Sequence, residues 1–218
     1  MESHPDCALC FHDAIRIDSD GRPHASGLTE VSAARLGIED LLRENFISAC
    51  AVMYRWGLVE SLPDWWADTW IGDWPLHILH AQHGWIGHIS GSMAAYRVHP
   101  EGLWSGRSTP SRSDEVVKVQ RLLDGMLGFR FHEIIEQSMF AGKYYALAER
   151  CRGSSALGDT AERAQARHEA EYLLKHLRNR GEVSVLQAGV VAAQGFIPPL
   201  NPPIQVVKGF LRRRRRAV

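Results

Sequence analysis

The sequence predicts an α/β fold over residues 1–108, followed by an all-helical extension over 109–218. Short alternating or apolar runs typical of strands occur in the first part, whereas from about Ser113 apolar residues recur at the three- and four-residue spacing of a helix face. The composition, 45% hydrophobic with 25 acidic and 25 basic residues, is typical of a folded globular chain and excludes wholesale disorder.

The first part alternates predicted strands and helices. The run Cys7–Ile17 alternates well enough to be a strand, and the sequence DSDG at 18–21 supplies turn chemistry at its end. A short helix is predicted at 36–43, a buried strand at 49–56 and an aromatic-rich loop at 58–70.

A helix is then predicted to begin at Asp73. Gly72 can break the preceding chain, the Asp73 carboxylate can cap the helix, and Pro75 suits the first turn. Gly84 is placed to stop the helix, and residues 85–99 return as strand and loop.

The second part is predicted to be helical throughout. A first helix covers 113–152, before Gly153. A second begins at Asp159, where Glu162 completes a capping-box pattern, and ends near Gly181; a weaker third occupies 183–194.

Charge is unevenly distributed, because six basic residues fall in the last eleven positions and leave the remainder acidic. An acidic body argues against specific nucleic-acid binding. Phe210 and Leu211 beside the arginine run favour contact with an anionic membrane surface, with a solvated tail or a weak nucleic-acid contact as the alternatives. Four scattered cysteines and no signal-peptide pattern predict a cytoplasmic protein, with peripheral contact at the inner face of the plasma membrane as a further possibility.

Four stretches between residues 4 and 105 together resemble the second half of a family 2, inverting glycosyltransferase of the GT-A fold. They are HPDCALCFHDA at 4–14, NFISACAVMYRWGLVESLPDWW at 45–66, GDWPLHILHAQHGWIGHI at 72–89 and MAAYRVHPEGLWS at 93–105. The resemblance implies a partial GT-A (Rossmann-like) mixed sheet over residues 1–108. It also implies transfer of a sugar, with inversion, from a nucleotide-diphosphate sugar to the hydroxyl of a saccharide or lipid-linked acceptor.

The resemblance also assigns roles to residues. Asp73, in the GDW sequence, matches the acidic motif that supplies the general base, and the helix dipole is expected to lower its pKa. His99, in YRVH, matches a histidine ligand of the divalent cation, Mn²⁺ or Mg²⁺, that neutralises the leaving diphosphate. In the family an Asp-x-Asp turn and the nucleotide-binding half precede the position of His4, so we expect a missing N-terminal portion.

Acceptor contacts are expected from the tryptophans, which all lie between Trp56 and Trp104, since indole faces stack on sugars. The candidates flank the motifs: Trp65, Trp66, Trp74 and Trp104. Core packing is the alternative for each. Arg97 could bind a carboxylate or donor phosphate, with a structural salt bridge as the alternative.

Three other patterns have simpler explanations. The Asp-x-Asp at 18–20 follows the first strand, and a polar turn accounts for it. His77, His80 and His83 could ligate a metal, but packing or exposure is favoured because three-residue steps diverge around a helix. Cys7 and Cys10 form a CxxC inside a strand, which favours small buried side chains over a zinc or redox site.

The sequence therefore predicts a glycosyltransferase acting in cell-surface polysaccharide or glycolipid synthesis. The alternative is a non-catalytic carbohydrate-binding or scaffold protein derived from such an enzyme.

Overall fold

The computed structural model describes residues 1–23, 31, 33–139 and 142. Its elements form a mixed α/β arrangement, which confirms the predicted class. The strands are β1 (Cys7–Ile17), β2 (Arg35–Leu36), β3 (Val52–Tyr54) and β4 (Trp85–Arg97), and the helices are α1 (Ile38–Arg43), α2 (Asp73–Ala81) and α3 (Thr109–Met126). Two short 3-10 helices lie at Ala49–Ala51 and Asp64–Asp68.

The four strands form one sheet in the order β2-β4-β1-β3. The two long central strands, β1 and β4, run parallel, whereas the short strands β3 and β2 pair antiparallel to β1 and β4 at the two edges. Parallel pairing requires a long connection, and residues between β1 and β4 supply it with β3 and α2.

Strand β1 has the predicted bounds, and the turn after it has the predicted chemistry. The Asp18 side chain accepts hydrogen bonds from the backbone N–H groups of Asp20 (2.9 Å) and Arg22 (2.8 Å), and Gly21 has φ +85°. A glycine is favoured at that φ because it lacks the Cβ clash. The Asp-x-Asp at 18–20 is thus a turn, as the simpler interpretation held.

The core lies between the first half of the sheet and the helices α1 and α2. Its fully buried side chains include Leu9, Phe11, Leu41, Ile78 and Ile86. Helices α1 and α2 also contact each other, and α2 contacts β1. Helix α2 is therefore held by packing on two elements.

The predicted strand at 49–56 is largely wrong. Residues Ala49–Ala51 form a 3-10 turn, only Val52–Tyr54 is strand, and Met53 and Trp56 are 63% and 98% exposed. An apolar run suggests burial, but β3 is an edge strand, where one side of the chain meets solvent.

Two neighbouring predictions were approximately right. The helix predicted at 36–43 begins at Ile38, after the two-residue strand β2, and the predicted loop at 58–70 contains the 3-10 turn Asp64–Asp68.

Helix α3 begins four residues before the position where the periodicity was first visible. Ser108 caps it by accepting a hydrogen bond from Ser111 N (3.4 Å), with Pro110 in the first turn. The continuous helix predicted over 113–152 is wrong, because Gly128 and Phe129 adopt φ values of +60° and +59° after α3 ends; helical structure then resumes at 132–139.

Residues Met1–Ile135 form one compact unit, which includes α3. The division into 1–108 and 109–218 stays a prediction, and the helices expected at 159–181 and 183–194 lie outside the described residues. So does the basic tail. Within the part of the chain that the structure describes, no helix is both long enough and apolar enough to cross a bilayer.

Candidate active site

Asp73 is the first residue of α2, and the residues that follow it anchor the helix. Trp74 is 4% exposed and its indole Nε1–H donates to the carbonyl of Leu41 (2.9 Å), while Ile78, one turn further, is completely buried. Asp73 lies on the less buried side of the same turn, and Asn45 Nδ2 approaches its Oδ2 at 3.5 Å. Packing of Trp74 therefore holds the carboxylate in a fixed place.

The expected direction of the Asp73 pKa shift is wrong. Burial raises the pKa of Asp73, and the backbone N–H groups of the helix start and the amide of Asn45 offset this only in part. The helix-dipole argument omitted desolvation, which disfavours the charged form. A raised pKa makes the carboxylate a stronger base than an ordinary aspartate.

Two tyrosines lie within electrostatic range of Asp73. Burial raises the pKa of Tyr54, and the negative charge of Asp73 raises it further. Burial and Asp73 also raise the pKa of Tyr96, against the positive charges of Arg16 and Arg112. Both phenols therefore stay protonated at neutral pH.

Tyr54 is held by a buried histidine. Its hydroxyl and His77 Nδ1 are 2.7 Å apart, and the two rings stack with centroids separated by 5.7 Å. Burial lowers the pKa of His77 to about 4, which the Ile47 carbonyl opposes only in part, so the imidazole is neutral at pH 7. A neutral, fully buried imidazole fixes the phenol without adding charge beside Asp73.

Two of the three histidines, His77 and His80, are packing residues of α2, and His83 lies beyond the end of the helix, in agreement with the favoured interpretation of packing or exposure. His77 is completely buried and His80 is 7% exposed, with His80 Nδ1 donating to the carbonyl of Leu76 (2.9 Å), whereas His83 is exposed. Among the described residues, no group of three or more histidine, cysteine or acidic side chains is arranged to hold a metal ion. Cys7 and Cys10 are free thiols on β1, the first of them buried.

Arg97 is the last residue of β4, and His99 lies two residues beyond it. The His99 carbonyl accepts hydrogen bonds from Gly102 N (3.0 Å) and Ser105 Oγ (2.6 Å), which order the following loop. Arg97 Nη1 donates to the carbonyls of Asp18 (3.0 Å) and Ser19 (2.9 Å), so its guanidinium holds the turn after β1. Neither of the partners expected for Arg97, a carboxylate or a phosphate, is needed to explain its position.

The four candidate tryptophans fall into three environments. Trp74 belongs to the core and offers no surface to a saccharide. Trp65 and Trp66 are half-buried and stacked on each other (6.4 Å between centroids), with Trp66 lying against Gly72, directly before Asp73. Trp104 is 39% exposed and packs against Trp70, with ring centroids 5.7 Å apart. Trp65, Trp66 and Trp104 thus remain available as an acceptor surface.

Sequence reasoning missed several residues of this site. Asn45 and Tyr54 stand in the second matching stretch and Tyr96 in the fourth, but no spacing rule singles them out, because the fold alone brings them to Asp73. Arg107 and Arg112 lie on either side of the α3 N-cap, Ser108. Their proximity in sequence to Trp104 is the signal that could have identified them.

The chain is similar to two longer mycobacterial proteins, each named only as an uncharacterized protein. They come from Mycobacterium tuberculosis (strain ATCC 25618 / H37Rv) and Mycobacterium bovis (strain ATCC BAA-935 / AF2122/97), and each is 32% identical over 143 residues. The alignment covers 62% of this chain and 40% of each relative, so the chain spans less than half the length of these proteins. No family model matches the chain, and no solved structure matches it.

Proposed function

We propose that this chain carries the acceptor-side half of an inverting glycosyltransferase of the family 2, GT-A type, acting in cell-surface polysaccharide or glycolipid synthesis. The observation that carries the proposal is the Asp73 carboxylate, half-buried at the start of α2, with its pKa raised and two protonated tyrosines in range. The parallel β1–β4 pair and the position of α2 before β4 also agree with the order of elements expected for that half.

The proposed reaction requires a base at the acceptor hydroxyl. As the acceptor oxygen forms its bond to the anomeric carbon, the bond from that carbon to the diphosphate oxygen breaks and the diphosphate departs with the electron pair. Asp73 accepts the hydroxyl proton during this step. Attack on the face opposite the leaving group inverts the anomeric carbon. Tyr54 and Tyr96 can hydrogen-bond the acceptor and orient its hydroxyl toward Asp73.

A divalent cation, Mn²⁺ or Mg²⁺, is part of the proposal, since it would neutralise the leaving diphosphate. His99 would provide one ligand. The described residues do not by themselves complete a site around His99, because they contain no group of three or more suitable side chains. No step above depends on the metal.

The test is sugar transfer by protein tagged at its C terminus and isolated from its own cells. This preparation retains any upstream residues or bound partner. The assay measures transfer of labelled sugar from a panel of UDP- and GDP-sugars, with Mn²⁺ or Mg²⁺, into envelope glycan and lipid acceptors. We expect Asp73→Asn to lower kcat by about 10²- to 10⁴-fold, because it removes the base and keeps the shape.

The matched control is Asp20→Asn, at an exposed turn aspartate paired with Arg22. It should retain wild-type turnover. Retention of most of the turnover by Asp73→Asn would overturn the assignment of the base. If the wild type neither binds nor transfers any nucleotide sugar, the enzyme proposal is wrong and the carbohydrate-binding or scaffold alternative replaces it.

A further inference from the structure

A cluster of two tryptophans and two arginines lies where α3 begins. The Trp70 and Trp104 rings pack at 5.7 Å with an interplanar angle of 51°. Arg107 Cζ lies 4.6 Å from the centroid of Trp70, and Arg112 Cζ lies 5.5 Å from the centroid of Trp104. Each guanidinium is thus held against an indole face, which leaves its N–H edge to bind another group.

The two arginines have no carboxylate partner among the residues that the structure describes. Arg112 Nη2 makes one hydrogen bond, to Thr109 Oγ1 (3.1 Å). The neighbouring acid Glu115 is occupied, because its Oε1 accepts from Thr69 Oγ1 (2.7 Å) and from Trp70 N (3.2 Å). Glu115 therefore fixes the backbone at Trp70 and does not neutralise the pair of guanidinium groups.

This cluster is close to the proposed base. Trp70 precedes Asp73 by three residues, so their Cα atoms are no more than about 11 Å apart. Both the negative charge of Asp73 and the positive charge of Arg112 act on Tyr96, which agrees with this short separation. A saccharide whose hydroxyl reaches Asp73 can therefore place another substituent at the arginines.

We propose that Trp70, Trp104, Arg107 and Arg112 form a subsite for an anionic saccharide acceptor, in which the indole rings hold the two guanidinium groups in place and the guanidinium groups bind the carboxylate or phosphate of the sugar. Planar guanidinium groups suit either anion, because they donate two parallel hydrogen bonds to it. This inference rests on the proposed function and specifies the acceptor class.

Direct binding tests the inference without requiring transfer. The same preparation is titrated with glucose, glucuronate and glucose 6-phosphate, with tryptophan fluorescence as the readout. We expect the two anionic sugars to bind at least about tenfold more tightly than glucose, and added salt to reduce that preference. Arg107→Gln and Arg112→Gln should each lose about tenfold or more for the anionic sugars and little for glucose.

Two control variants sharpen the comparison. Arg22→Gln removes an exposed arginine in the turn after β1 and should leave all three affinities unchanged. Arg112→Lys keeps the charge but loses the planar fork, so its affinity should fall between those of wild type and Arg112→Gln. Equal affinities for glucose and the anionic sugars, or equal losses in Arg22→Gln, would overturn the inference.

The anion could instead be the diphosphate of the donor, and UDP and GDP separate the two sources. If either nucleotide displaces glucose 6-phosphate and loses affinity in Arg112→Gln, the arginines bind the donor and the acceptor assignment is wrong. Failure of this inference is also distinct from failure of the proposed function. Charge-independent sugar binding with Asp73-dependent transfer refutes the subsite alone, whereas charge-dependent binding without transfer from any donor refutes the enzyme alone.

Discussion

Gly84, between α2 and β4, is the position where the structure leaves least room for a side chain. A Cβ there would lie 2.2 Å from the carbonyl oxygen of Asp6 and 3.2 Å from Ala8 N, and both are backbone atoms that no side-chain rotation can move. The same Asp6 oxygen accepts a hydrogen bond from Trp85 N (3.2 Å). The substitution Gly84→Ala must therefore displace the start of β4 from β1.

The expected loss of stability can be estimated from these contacts. Overpacking against backbone costs about 1–3 kcal/mol, and loss of the Trp85–Asp6 hydrogen bond costs about 1 kcal/mol more. The total, about 2–4 kcal/mol, corresponds to a fall in Tm of roughly 10 °C for a unit of this size. The assay is thermal and urea unfolding of the full chain, followed by far-UV circular dichroism.

Gly125→Ala is the matched control, with the opposite expected sign. Gly125 is exposed in α3 and a Cβ there would meet nothing within 4 Å, so alanine should stabilise the helix by about 0.5–1 kcal/mol. If Gly84→Ala unfolds at the wild-type temperature, the close approach of β4 to residue 6 does not exist in solution and the reasoning fails.

Two further predictions concern the core beneath the site. Trp74→Phe should lower the free energy of unfolding by about 2–4 kcal/mol, because it removes buried volume and leaves the Leu41 carbonyl unpaired. The control is Trp56→Phe, at a 98% exposed position, which should change the free energy of unfolding by less than about 0.5 kcal/mol in the same urea titration. The pKa of His77 is lowered to about 4 in the folded state, so the folded state resists protonation of this imidazole. The contribution of neutral His77 to the free energy of unfolding is therefore fully present above pH 6.5 and decreases as the pH falls from 6.5 toward 4. That contribution is about 3 kcal/mol at most, and urea titrations at several pH values should show a shallower acid decline in His77→Gln; an unchanged decline would contradict the assignment.

Local sequence signals predicted the parts of the fold that depend on local chemistry. The alternation of β1 and the turn chemistry of Asp18 lie within a few residues of each other, and both were predicted correctly. The sequence at 49–56 was mispredicted because its exposure depends on the position of β3 at the sheet edge, which no local pattern reports. The early start of α3 at Thr109 was missed because the apolar spacing begins only after the cap.

The candidate site shows the same limit more clearly. Asp73 could be selected from the motif and from its place at a helix start, but the direction of its pKa shift depends on burial, which comes from packing of distant residues. His77 was correctly interpreted as a packing residue, yet its bond to Tyr54 joins an edge strand to a helix 23 residues away. Contacts between residues so far apart in sequence can be predicted only when the fold is known.

Residues near the ends of the two long strands couple electrostatically to the candidate site. Only three residues separate α2 from β4, and α2 packs against β1. In open α/β sheets, ligands bind beyond the carboxyl ends of the parallel strands. Tyr96 and Arg16, which pair in register near those ends, are the groups whose charges couple to the site.

A bulge in β4 contributes to the same arrangement. The β1–β4 register shifts around Asp13, whose carboxylate accepts hydrogen bonds from Gly91 N (2.9 Å) and His88 Nε2 (2.8 Å), and Gly91 has φ +112°. Burial alone would raise the pKa of Asp13, but these two hydrogen bonds and the nearby histidines lower it below its ordinary value, so the carboxylate remains charged and holds the bulge. Because a bulge bends a strand and re-aims the residues beyond it, the segment carrying Tyr96 can turn toward Asp73. The hydrogen bonds of Asp13 thus fix the bulge that precedes the segment carrying Tyr96.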